Sequence, residues 1–186
     1  MEDMKLKFTN QQYQTDAVNS VINVFEGQPF NDHFTYLRDV EVERNLTNYY
    51  LSDEELRMGF ANAEVQLTDE ELLENIQKVQ KDNDIPISKK LVTDDLGACS
   101  LDIEMETGTG KTYVYIKTMF ELNKEYGWSK FIVVVPNIAI REGVNKSFKI
   151  MQDHFMEQYK KKLDFLFMIQ IIWMILIVLV KVLILM

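Results

Sequence analysis

Within residues 8–26, apolar side chains fall at Val18, Val21, Ile22 and Phe25, a spacing that puts them on one face of a helix. Thr9 or Asn10 is placed to cap its start, and Gly27 with Pro29 to end it. Residues 28–100 read as an irregular and helical insert. Two capping boxes stand in it, Ser52-Asp-Glu-Glu55 and Thr68-Asp-Glu-Glu71, where a hydroxyl and an acid three residues on satisfy free helix-end donors reciprocally. The second box opens a helix that aims Leu72, Leu73, Ile76 and Val79 at a core, and residues 82–97 are a turn-rich connection.

The pattern then changes. Residues 99–105, CSLDIEM, are a short strand candidate, followed by TGTGKT and a helix from Tyr113 to Tyr126 with Val114, Met119 and Leu122 placed inward. Gly127 stands where a left-handed helix cap belongs. Lys130–Val135, KFIVVV, is a continuous β-branched run of the kind found in buried parallel strands, and Pro136 ends it. A further helix runs to about Tyr159 with Ile140, Val144, Phe148, Met151 and Phe155 on one face. Strand, loop, helix, strand, helix is a βαβ unit, which predicts an α/β fold with a parallel sheet. The last 24 residues, from Leu163, break the pattern: the run Phe165–Val180 is apolar but for Gln170 and has neither helical nor strand periodicity.

Charge adds one constraint. The formal net charge is −9, but residues 31–100 hold 16 acids against 7 bases, whereas residues 101–186 hold 9 acids against 11 bases. Phosphate neutralisation needs local positive potential, so any nucleic-acid contact belongs to the 101–162 region, and the acidic stretch reads as a solvated helical surface. The single cysteine, Cys99, excludes an internal disulfide, and neither it nor His33 and His154 has a metal-ligand spacing. A reducing cytoplasm suits this composition, and the opening MEDMKLKFTN lacks the basic and apolar regions of a secretory signal.

The candidate chemistry lies in Met105-Glu-Thr-Gly-Thr-Gly-Lys-Thr112. A triphosphate needs several backbone N–H donors converging on it, and Gly108 and Gly110 allow that close approach. The helix beginning near Lys111 adds its N-terminal dipole. Lys111 supplies a point charge to the β- and γ-phosphates, and the Thr112 hydroxyl is placed to ligate Mg²⁺. Thr107 and Thr109 are loop residues of this ATP cradle rather than catalysts. Met105 stands where the strict P-loop pattern has glycine, so the generic match is incomplete.

The segment METGTGKT, after LDIE and before YVY, resembles motif I of superfamily 2 helicase-like ATPases, and within them the restriction subunit of type III restriction-modification enzymes. Phe131–Val144, FIVVVPNIAIREGV, resembles the family's motif Ia. Tyr13-Gln14 followed by Ala17-Val18 resembles its upstream glutamine motif. The resemblance covers about residues 5–160. It implies a RecA-like P-loop NTPase lobe. Gln14 would contact adenine, and Gly108, Thr109, Gly110, Lys111 and Thr112 would bind ATP and Mg²⁺. Arg141 would contact a phosphate of double-stranded DNA, although a surface ion pair with Glu142 or Asp153 is an equal reading. It further implies a partner, a DNA-methylating specificity subunit.

On this reading residues 1–30 hold the glutamine-motif helix, 31–100 the acidic insert, 101–162 the first part of the ATPase lobe, and 163–186 an apolar tail. The family's Asp-Glu motif, second ATPase lobe and nuclease site find no counterpart, so the expectation is a truncated and catalytically incomplete lobe, with no catalytic residue assigned. Two readings of the tail stay open. One is an out-of-frame or truncated end. The other is a membrane-spanning helix, which needs about 20 apolar residues and would make the chain a membrane-tethered, non-enzymatic protein with a vestigial nucleotide fold.

Overall fold

The computed structural model describes residues 8–30, 62–93 and 97–161. Four helices order them: α1 (Gln12–Val24), α2 (Asp69–Asp82), α3 (Lys111–Tyr126) and α4 (Ile138–Tyr159). Helix α3 is the centre. It buries Tyr113, Val114, Ile116, Lys117, Thr118, Met119, Phe120, Leu122 and Tyr126, most of its circumference, because α1 lies on one side of it and α4 on another. Helix α2 packs against α1.

The ends of the helices follow local chemistry. Thr68 completes the expected box: its hydroxyl accepts from the Glu71 N–H at 3.2 Å while the Glu71 carboxylate accepts from the Thr68 N–H at 2.8 Å. Those bonds hold the Glu71 carboxyl below its usual range. Asn137 caps α4 by accepting from the Ile140 N–H at 2.9 Å. Gly127 adopts φ +79° and closes α3 by donating to the Asn123 carbonyl, as expected of a left-handed cap.

The start of α1 differs from expectation. Its N-cap position is Gln11, which makes no side-chain cap, and neither Thr9 nor Asn10 serves. The Asn10 side chain accepts instead from the Tyr113 hydroxyl, 103 residues away, at 2.7 Å. A tertiary bond has taken the group that local reasoning gave to the cap.

Two packed clusters make the core. Tyr113, Ile116 and Phe120 of α3 meet Phe148, Met151 and Phe155 of α4, with Phe8, Val144 and Tyr159 at the margin. Leu122, Tyr126 and Trp128 meet Ile22 and Phe25 of the α1 end and Ala63, Val65 and Phe131. Trp128 and Tyr126 satisfy their polar ends as they are buried, donating to the carbonyls of Ala63 at 3.0 Å and Ile22 at 2.9 Å. The expected stripe on α4 is thus seated from Phe148 to Phe155, with Val144 at its margin, but Ile140 stays exposed. On α2 only Leu72 of the expected face is fully buried.

The sheet is not formed among the described residues. Residues 99–105 and 130–135 carry no ladder, and single bridge positions occur only at Gly97 and Asp102. A helix closes its hydrogen bonds within itself, whereas a strand needs a neighbour to supply them. Ile132 and Val133, expected to be buried on both faces, are exposed for the same reason. The backbone leading into this segment is held by Asn62, whose side chain accepts from the Ser129 and Lys130 N–H groups and donates to the Lys130 carbonyl at 2.7 Å. The box at Ser52–Glu55 and the tail at 163–186 lie outside the described residues. Among the described residues no helix is long and apolar enough to cross a membrane.

Candidate nucleotide-binding site

Residues 106–110 form the bend that leads into α3. The Thr109 N–H and hydroxyl both donate to the Glu106 carbonyl, at 3.4 and 2.7 Å, closing a tight bend. Gly108 and Gly110 take φ of +86° and +88°, the left-handed region where a side chain is strained. A Cβ at Gly108 would meet open space, while one at Gly110 would stand 2.5 Å from the Gln14 Nε2. Gly110 is therefore required twice over, by its backbone and by its neighbour.

Gly110 is also the N-cap of α3, with no side chain to occupy the helix's first N–H groups. Those donors have no carbonyl one turn back inside the helix, and the helix dipole concentrates positive potential there. Lys111 and Thr112 follow at once, both partly exposed. Among the described residues Lys111 makes no ion pair. The open space over Gly108, the opening N–H groups of α3 and an ammonium with no carboxylate partner among the described residues make this end of the helix electropositive.

Helix α1 reaches this loop directly. The Gln14 side chain donates to the Thr109 carbonyl at 2.9 Å and the Tyr13 hydroxyl donates to the same oxygen at 3.1 Å. Two donors turn that carbonyl toward α1, where it cannot face a bound anion. Gln14 is 9% exposed and Tyr13 49%. Lys117, one turn and a half into α3, is buried with its ammonium 3.3 Å from the Thr15 hydroxyl, a polar tie between α3 and α1 besides that of Tyr126 to Ile22.

Next to Thr112, the Tyr115 hydroxyl is buried without a well-formed hydrogen bond. Burial raises its pKa, and the neighbouring Thr112 side chain acts in the opposite sense. Tyr113 points the other way, into the core, where His154 Nε2 stands 3.2 Å from its hydroxyl. Burial, aided by Lys117, holds the His154 imidazole below its ordinary pKa against the opposing pull of Glu157.

Arg141 lies on the first turn of α4 and pairs with Glu142, Nη2 at 2.9 Å and Nε at 3.2 Å from one carboxylate oxygen. The surface ion pair weighed from the sequence is therefore the arrangement seen. Among the described residues no three His, Cys, Asp or Glu side chains group to hold a metal ion. Burial pushes the Cys99 thiol up to about 11, which keeps it protonated and a poor nucleophile.

A family model described as "Type III restriction enzyme, res subunit" matches residues 7–170. The chain belongs to this family. It is 42% identical over 118 residues to the Res subunit of the type III restriction-modification enzyme EcoP15I from Escherichia coli, covering 61% of the chain and 12% of that relative. It is 40% identical over 104 residues to the EcoPI Res subunit of Escherichia phage P1, 55% of the chain and 10% of the relative. The StyLTI Res subunit of Salmonella typhimurium is 46% identical over 63 residues, 33% of the chain and 6% of the relative. The chain thus spans about an eighth or less of each of these Res subunits.

The structure brings two candidates from the sequence, the glycine-bearing bend and Gln14, together, and adds Tyr13 as a loop contact and the Asn10–Tyr113–His154 cluster, which the sequence did not announce. The residues of each contact are separated by 41 to 103 positions, so no local pattern announces them.

Two predictions arise here. Gly110→Ala puts a residue in the left-handed region at about 1–2 kcal/mol and displaces the Gln14 amide, whose hydrogen bond contributes about 1 kcal/mol. Together these correspond to a destabilisation on the order of 2–3 kcal/mol, read as a lower denaturant midpoint for the variant. The second concerns pH. A histidine whose folded pKa is lowered binds its proton more readily when unfolded. Its neutral form therefore stabilises the fold fully above about 6.5, and that contribution is lost as pH falls through the folded value. Denaturant midpoints are expected to drop between pH 7.5 and pH 5, and His154→Gln to flatten that part of the profile.

Proposed function

We propose that this chain is the ATP-binding N-terminal part of a type III Res subunit, the portion of a DNA-dependent, helicase-like ATPase and endonuclease that first grips the nucleotide. The observation that carries the reading is the contact between Gln14 and the glycine-bearing loop. It places an amide beside the candidate phosphate cradle, where it retains one N–H and its carbonyl oxygen while it donates to Thr109. Adenine offers an N6 donor and an N7 acceptor, which are the complements of those two groups.

In this reading Gly108, Thr109, Gly110 and Lys111 hold the phosphates, with Thr107 shaping the loop. Thr112 would hold Mg²⁺ through its hydroxyl, and the ion would supply charge neutralisation to the phosphates. Residues 99–105 and 130–135 are strands of a parallel sheet that other parts of the subunit complete. Double-stranded DNA passes near the start of α4. Arg141 contributes a phosphate contact there, exchanging Glu142 for DNA, since a surface ion pair is worth only about 0–1 kcal/mol. The partner is a DNA-methylating specificity subunit.

Within the 186 residues no Asp-Glu pair follows Pro136, so the chain binds ATP weakly and does not turn it over. The test is calorimetric titration of the chain with ATP and Mg²⁺, alongside a phosphate-release assay. Saturable, Mg²⁺-strengthened binding without release is expected. Absence of binding defeats the reading, and Lys111-dependent hydrolysis defeats the statement that the chain is catalytically incomplete.

A further inference from the structure

Tyr113 is the residue immediately after Thr112, yet its ring turns away from the loop and is only 7% exposed. Its hydroxyl donates to Asn10 Oδ1 at 2.7 Å. A phenol has one proton to give, so the bond to His154 Nε2, at 3.2 Å, runs the other way, with the imidazole N–H donating to the phenol oxygen. Phe8 stacks on Tyr113, ring centroids 6.3 Å apart and planes 18° apart, and lies 5.1 Å from the His154 ring. Three segments therefore meet at one hydroxyl: the chain entering α1, the P-loop helix α3, and the helix α4.

Asn10 precedes α1 by two residues, and α1 lacks a side-chain cap of its own. Where α1 begins, relative to the phosphate loop, is thus set at its upstream end by the Tyr113–Asn10 bond rather than by local capping. Gln14 is one turn further along. Its hydrogen bonds with a base require donor–acceptor distances of about 2.7–3.2 Å, so a small shift of α1 decides whether they form.

We propose that Tyr113, with Asn10 and His154, is a positioning residue for base selection: it holds α1 so that the Gln14 amide meets an adenine and not a guanine. The inference rests on the reading of Gln14 as the adenine contact. Guanine presents two acceptors, O6 and N7, on the edge where adenine presents a donor and an acceptor, so a well-placed glutamine separates them and a displaced one does not.

The test measures binding of ATP and GTP to the 186-residue chain with Mg²⁺, by competition against a ribose-labelled fluorescent ATP. The parent chain is compared with Gln14→Ala, Tyr113→Phe and Asn10→Leu. Tyr113→Phe keeps the ring and its packing while removing the hydroxyl, and Asn10 is exposed, so its replacement leaves the core intact. The parent is expected to prefer ATP by about tenfold or more, the size of one bidentate base contact. Gln14→Ala is expected to bring the ratio near one, weakening ATP more than GTP because the lost Thr109 contact is common to both, and both other variants to bring the ratio near one while GTP binding stays at the parent's level.

If Gln14→Ala loses selectivity but Tyr113→Phe and Asn10→Leu keep it, the positioning role is wrong and the adenine reading stands. Equal weakening of ATP and GTP in Tyr113→Phe assigns it a general structural role and also overturns the proposal. A parent chain with no preference, or a Gln14→Ala chain that keeps it, removes the adenine reading and the positioning role together. Should Tyr113→Phe lose its cooperative unfolding transition, Asn10→Leu alone decides: retained selectivity there overturns the proposal.

Discussion

Replacing Lys111 with alanine is expected to lower ATP affinity by about 10- to 150-fold, to the edge of detection for a weak site. The side chain follows the N-cap glycine of α3 and has no carboxylate partner among the described residues, so its charge is not already spent on a protein contact. Hydrogen bonds to charged groups contribute about 1.5–3 kcal/mol, which is the source of that range. Lys111→Arg keeps the charge but brings a planar, wider head group, so partial retention is expected. Calorimetry on the three proteins at matched ionic strength provides the measurement. An alanine variant that binds ATP as the parent does would mean the triphosphate sits elsewhere.

Phe155→Ala is expected to destabilise the chain by about 3–5 kcal/mol, the usual range for emptying a large aromatic site. Phe155 is 2% exposed and lies where α4 meets α3. Its ring is 5.2 Å from that of Tyr113, 5.1 Å from Phe120 and 5.1 Å from His154. Total stabilities of small domains are about 5–15 kcal/mol, so this single change removes a large share. Ile150→Ala on the outer face of the same helix, 43% exposed, is the control and is expected to shift stability by no more than about 0.5 kcal/mol. Chemical denaturation followed by circular dichroism distinguishes them, and equal midpoints for the two variants would show that α4 is not docked as described.

A third expectation concerns DNA. If Arg141 exchanges Glu142 for a phosphate in the whole subunit, Arg141→Ala should weaken binding uniformly across sequences and reduce the salt slope by about 1. Filter binding over a series of salt concentrations reads both, and an unchanged slope would leave the ion pair with Glu142 as the residue's only role.

The glycine-bearing bend before α3, the capping box at Thr68, the glycine cap at Gly127 and the stripe Phe148–Met151–Phe155 were legible in the chain because each is a short-range pattern. Glycine is needed where φ is positive, a hydroxyl and an acid three apart meet across one helical turn, and residues three, four and seven apart share a face. None of these depends on what lies elsewhere. Strands are different. CSLDIEM and KFIVVV have the composition of buried strands, but strand formation depends on a neighbouring backbone, and among the described residues only isolated bridges at Gly97 and Asp102 form.

The amino-acid order by itself therefore determined the helices, the bend that carries Gly108 and Gly110, and the family to which the chain belongs. Tertiary structure alone decided the partners of the polar groups: Asn10 with Tyr113 instead of the helix end, Gln14 and Tyr13 on one loop carbonyl, Arg141 with Glu142. The physical reason is range. A conformational preference acts within a few residues, whereas a hydrogen bond goes to whichever complementary group the packing of α1, α3 and α4 brings within about 3 Å.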